Sequence, residues 1–218
     1  MRRLGPLVHR SVHYGALGLI LASAVFIAVN VVVPLGYSGF SVTANSIGDL
    51  GNAAHSSWAW AFDAGAILFG LIGLVGGFLV WTAFPLKTSR TVGLLLLELA
   101  FIGTIGLGAF PQGSSWTIAS FPSITIDLLL IAGGFSMLFL SLAMLRDTRW
   151  SGYRLYTLVS AVVSLAALGL LWANVWGPLG PGGLERLAVA PFLLWLIVAG
   201  IHLARIPTYT PPGVSVTA

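Results

Sequence analysis

Six stretches of this chain run for about twenty residues with almost no charge, the length needed to cross a bilayer. They are Tyr14–Val33, Ala64–Phe84, Thr91–Phe110, Ile124–Leu145, Leu155–Trp176 and Leu187–Ala204. In hydrocarbon every backbone N–H and C=O must find its partner within the protein, so each stretch is expected to be a helix. The runs are continuously apolar, whereas membrane β-strands alternate polar and apolar residues, so a barrel is excluded. With 7% charged and 57% hydrophobic residues, the chain has too little charge to coat a water-facing surface. The sequence therefore predicts an all-α polytopic membrane protein. It reads as a single six-transmembrane-helix bundle over residues 1–206 with a short tail at 207–218.

Sidedness follows from the basic residues. Nine of the ten Lys and Arg residues fall at the N-terminus (Arg2, Arg3, Arg10), in the second-to-third connection (Lys87, Arg90), in the fourth-to-fifth connection (Arg146, Arg149, Arg154) and at the end of the last span (Arg205). With six spans these segments share one side, and only Arg186 lies opposite. The positive-inside rule then places both termini in the cytoplasm of a plasma-membrane protein. The N-terminus has the basic-then-apolar look of a signal peptide, with Ala22-Ser23-Ala24 as a cleavage-like site. The apolar run continues through Val33, which predicts a retained first helix. Trp58, Trp60, Trp116, Trp172 and Trp176 on one side, and Trp81, Trp150, Tyr153 and Tyr156 on the other, read as interfacial belts. The small-residue spacing Gly73–Gly77 suits close helix packing, inside the bundle or between copies.

Several chemistries are excluded or weak. The chain has no cysteine, so disulfides, iron–sulfur sites and thiolate catalysis are out. Nucleic-acid binding is not expected, because no Lys/Arg run exceeds two and no basic stripe is interleaved with aromatics. No Walker, Rossmann or G-x-S-x-G motif is present, no histidine sits at mid-span for haem, and no cofactor is expected. His9 and His13 share a helix face and with His202 lie near one boundary, a weak candidate zinc set.

Two signals remain. Glu98 lies inside the third span, where an acid is costly and points to function; Ser23, Ser136, Ser160 and Ser164 are its expected hydrogen-bond partners. On the opposite side, Asn45, Ser46, Asp49 and Gly51 punctuate the long first loop, and Ser46-x-x-Asp49 has capping-box spacing. Asp63, Asp127, Glu185 and Arg186 border the same side, so Asp49, Asp63, Asp127 and Arg186 are the candidate catalytic residues for a hydrolytic or cation-assisted reaction.

The motifs on that side carry a resemblance. Ser46-Ile47-Gly48-Asp49-Leu50-Gly51, Gly108-Ala109-Phe110-Pro111 and Gly183-Leu184-Glu185-Arg186-Leu187 are similar to elements of the uncharacterised six-span membrane family known as domain of unknown function 998. The resemblance spans most of residues 10–205 and implies the six-helix architecture with a long first outer loop. Many members carry a histidine near the start of the fourth span, and Ser123–Asp127 offers none. The resemblance implies no reaction. The expected function is a non-catalytic accessory subunit or lipid-contacting scaffold, with membrane lipids and other membrane subunits as partners. The alternatives are an enzyme acting on a lipid or isoprenoid-like substrate at the outer leaflet, and a small proton-coupled transporter using Glu98.

Overall fold

The computed structural model describes residues 4–205 apart from 115–117, 119 and 146, with side chains from Arg10 onward. Arg2, Arg3, Trp116, Arg146, the His9 side chain and the tail from residue 206 lie outside the described residues. Among the described residues six α-helices form: α1 (Leu4–Val32), α2 (Ala59–Leu79), α3 (Thr88–Ala109), α4 (Phe121–Ala143), α5 (Tyr153–Trp172) and α6 (Gly180–Arg205). All six are long and apolar enough to cross a membrane. Each packs against its neighbours in sequence, and α6 closes back on α1, so the helices make a ring.

Glycines set the neighbour distances. Gly15 of α1 meets the Gly76 carbonyl of α2, while Gly65 near the start of α2 meets Val29 near the end of α1, which makes the pair antiparallel. Gly93 and Gly103 of α3 lie against Leu140 and Leu129 of α4 in the same opposed sense. Gly73 and Gly77 face inward onto Phe101 and Glu98 of α3, so this pair serves packing within one chain. The middle of the ring is filled. Phe69 stacks on Phe26 (4.9 Å) and meets Phe101 edge-on (5.4 Å), and Phe101 approaches Phe192 of α6 at 6.4 Å. Ring pairs at these separations add to the burial of their area.

All six helices begin before their apolar runs, and two of them take in acidic residues at the loop end. α2 starts at Ala59 and takes in Asp63; α6 starts at Gly180 and takes in Glu185 and Arg186. Charge marks where hydrocarbon ends, but a helix continues past that point when protein satisfies its polar groups. At the opposite end of the ring the described basic residues are Arg10, Lys87, Arg90, Arg149, Arg154 and Arg205. Here Lys87 Nζ donates to the carbonyls of Ala143 (3.1 Å) and Leu145 (2.6 Å), capping the C-terminus of α4 as cations do. Trp150 is not the interfacial anchor its position suggests. It is fully buried, stacked on Phe84 at 4.8 Å and edge-on to His202 at 4.8 Å.

Asp147 closes the turn between α4 and α5, accepting from Arg149 Nη2 at 2.7 Å and from the Arg149 backbone N–H at 3.1 Å. These hydrogen bonds hold its carboxyl below the usual aspartate range. A lowered folded pKa stabilises above the unfolded value, near pH 3.9 or so, and that contribution is lost as pH falls through the folded value. Thermal scans in detergent should show Asp147→Asn costing about 1 kcal/mol or less near neutral pH. The difference from the parent should vanish in strong acid.

Candidate functional site

The end of the ring opposite the basic residues carries the long loop between α1 and α2. Its base is tied by an isolated antiparallel bridge between Tyr37 and Ser56, with Ser38 N–H donating to the His55 carbonyl at 3.0 Å. Inside that base, Ser46 and Asp49 form the reciprocal box. The Ser46 N–H donates to Asp49 Oδ2 (2.8 Å), and the Asp49 N–H donates to Ser46 Oγ (3.1 Å). The box starts a 3-10 turn, Gly48–Gly51, in which Leu50 is fully buried, as is Ile47 just before it. Asn45 braces it, accepting from the Ser41 N–H at 2.9 Å. Tyr37 lies close by, and burial, with the Asp49 carboxylate near, pushes its phenol above the usual range.

This loop is clasped to the first two turns of α6. Glu185, 5% exposed, accepts the Ile47 N–H at 2.9 Å, a contact across 138 positions of sequence. Arg186 Nη1 donates to the carbonyls of Asn45 (2.7 Å), Val42 (3.2 Å) and Gly182 (2.9 Å), and its guanidinium lies 5.3 Å from the centre of the Phe40 ring. The Gly182 N–H donates to the Thr43 carbonyl at 3.0 Å. Gly180, at φ +67°, and Gly182 leave the gap in which the Thr43 and Asn45 carbonyls sit. A side chain at either position would occupy the space of those backbone atoms.

The remaining candidates border the clasp. Asp127, on α4, accepts from the Trp172 indole at 3.3 Å and, like Asp49, lies within electrostatic reach of Glu185. Asp63 sits beneath the 3-10 turn, where its Oδ1 is buried without a partner among the described residues and crowds Gly51. The Asp63 carbonyl in turn lies against Gly108. The three motifs thus converge: Ser46–Gly51 is clasped by Gly182–Arg186, and Gly108-Ala109-Phe110-Pro111 ends α3 beside Asp63. Among the described residues no group of three or more His, Asp or Glu side chains is placed to hold a metal. At the basic end His13 is exposed, whereas His202 bonds the Arg149 carbonyl at 2.9 Å and stacks on Tyr153 at 3.7 Å.

Glu98 lies apart from all of these, in the seam between α2 and α3. Both of its carboxyl oxygens are buried, and neither has a hydrogen-bond partner among the described residues. The serines expected to serve it do not. Ser136 bonds the Gly133 carbonyl at 2.7 Å on its own helix, Ser164 bonds the Ala188 carbonyl at 2.6 Å, and the Ser23 hydroxyl is itself buried with no partner among the described residues. Ser136 finds a carbonyl one turn back on its own helix, as helical serines readily do, whereas Ser164 reaches across to α6. What sequence reasoning missed is the pairing of Glu185 with the Ile47 amide; its only trace was an acid placed among apolar residues.

No curated protein and no solved structure matches the chain. Residues 20–202 match the family model described as "Protein of unknown function (DUF998)", and the chain belongs to that family.

Proposed function

We propose that this chain is a non-catalytic membrane scaffold or accessory subunit of the plasma membrane, with both termini cytoplasmic, whose apolar exterior meets lipid and neighbouring subunits. The observation that carries this reading is how four of the loop-end polar groups are used. Asp49 closes a turn, Glu185 receives a loop amide, Arg186 caps three carbonyls and Asp127 receives an indole. A hydrolytic site would instead aim such groups at a shared cleft. The exterior supports it too: Leu68, Leu71, Val75 and Phe78 of α2 and Leu155, Val159 and Val162 of α5 are all exposed, as lipid-facing residues are. The aromatic filling of the ring favours a scaffold over a conduit. The positive-inside rule supports the orientation, since the described basic residues other than Arg186 gather at one end.

Thermal unfolding of purified protein tests the reading, because replacing a group that holds the fold lowers stability. Asp49→Ala removes the box and should cost about 1 kcal/mol. For a chain of this length that is a fall in Tm of roughly 2–4 °C. An Asp49→Ala protein with an unchanged or raised Tm would mean that the carboxylate is held for chemistry, and the scaffold reading would fail.

A further inference from the structure

The seam between α2 and α3 is built from three small notches and three knobs. Gly70, Gly73 and Gly77 lie on one face of α2, and against them lie Ile105, Phe101 and Glu98 of α3 in that order. Two knobs are apolar, as a membrane seam requires. The third is a carboxyl seated where a Cβ on Gly77 would come within 2.5 Å of Glu98 Oε1 and 3.1 Å of its Cδ. A leucine or methionine would fill the place without burying two unpartnered oxygens, so packing alone does not account for an acid here.

The surroundings define what the notch can hold. Asp63 is at the far end of α2, roughly 21 Å from Gly77 at the helical rise per residue. On α4, the other helix packed against α3, Asp127 lies toward that same far end, level with Gly103 and Gly106. Arg90, two turns back on α3, reaches the Phe84 carbonyl at 3.4 Å. Among the described residues no counter-ion faces the carboxyl, and an uncompensated charge in an apolar notch is costly. Side chains on a helix lean toward its N-terminus, which for α3 is the basic end, about 12 Å away along the axis. Leu95, Leu99 and Ile102 of α3 and Val75 and Phe78 of α2 are exposed around the seam, so the notch lies beside the lipid-facing surface.

We propose that Glu98, seated on Gly77 in the α2–α3 seam, is a membrane-embedded proton-binding site. The side chain rests in the notch as the carboxylic acid and exchanges its proton when it swings out toward the basic end. This goes beyond the scaffold reading and does not depend on the loop-end clasp.

Two measurements on the whole purified protein test it. A hydrophobic carbodiimide reacts with a carboxylic acid in an apolar site: the O–H adds across one C=N bond, and the acyl group then migrates to nitrogen, with no atom lost. Peptide mass mapping should find one reagent molecule on Glu98. That label should be lost in Glu98→Gln and should decline as the pH is raised. Infrared difference spectra should show a protonated-carboxyl band that disappears reversibly at alkaline pH and is missing in Glu98→Gln. Gly77→Ala fills the notch while keeping the acid, and should shift that band. Failure of the folded parent protein to take the label would overturn the proposal. So would a carboxyl band that stays constant at every pH at which the protein remains folded, since that acid would be packing only.

Discussion

Gly182→Ala should be among the most damaging small changes the chain can accept. The added methyl would lie against the Asn45 carbonyl and 2.8 Å from the Val42 carbonyl, and both are backbone atoms that cannot rotate aside. The loop must lift, and lifting it removes the bonds that depend on its position. Those are the Gly182 N–H to Thr43, the Ile47 N–H to Glu185, and the Arg186 guanidinium to Asn45 and Val42. Glu185 would then be left buried without its amide. A buried acceptor or donor deprived of its partner costs about 1–3 kcal/mol, and several are lost together, so about 4 kcal/mol is expected in total. Scanning calorimetry or a thermal-shift assay in detergent should place the Tm roughly 8–16 °C below the parent. A shift of a degree or two would show that the loop is not seated on α6 in this way.

Arg186→Met should come second. Methionine keeps an aliphatic stem, but it supplies no donor and gives up the guanidinium's contact with the Phe40 ring. The carbonyls of Val42, Asn45 and Gly182 lose a charge-assisted partner at once. Bonds to charged groups contribute about 1.5–3 kcal/mol, but three carbonyls sharing one Nη1 are not additive, and the rim of the clasp can admit water. A cost of about 3 kcal/mol, or a Tm lower by roughly 6–12 °C, is the expected result. Arg186→Lys should recover only part of it, because a compact ammonium on a flexible stem does not reproduce the guanidinium fork. Full recovery by lysine would indicate that charge alone matters at this position.

Glu98 responds in the opposite direction. Its two buried oxygens make no hydrogen bond among the described residues. Glu98→Met should therefore leave stability unchanged or raise it by about 1–3 kcal/mol, which the same thermal assay reads. The contrast matters: residues of the clasp stabilise when present, whereas Glu98 stabilises when removed. That is the pattern of a group retained for something other than holding the bundle together.

The sequence and the structure agree most closely where the signal is local. Six apolar runs became six helices because each satisfies its own backbone, and the Ser46–Asp49 box formed because its partners are three residues apart. Helix ends were less legible. Asp63 and Glu185 looked like boundaries, but both lie within helices because the first loop folds over that end of the ring and shields it. The clasp itself could not be read from spacing, since nothing near Ile47 announces that its amide ends on Glu185. For Glu98, the costly position was plain in the sequence, but its isolation was not. Polar residues at similar depth look like partners until helix rotation turns Ser136 and Ser164 onto backbone carbonyls.

Amide hydrogen exchange at residues 41–52, followed in the parent protein and in Gly182→Ala, addresses the clasp most directly. The account predicts that the Ile47 and Asp49 amides, though in a loop outside the spans, are protected nearly as well as the ends of the helices, and that Gly182→Ala exposes them to rapid exchange while α2 to α5 stay protected. Exchange of these amides at the rate of an open loop in the parent protein would contradict it, and Asp49, Glu185 and Arg186 would then have to be held for some purpose other than fastening this loop to α6.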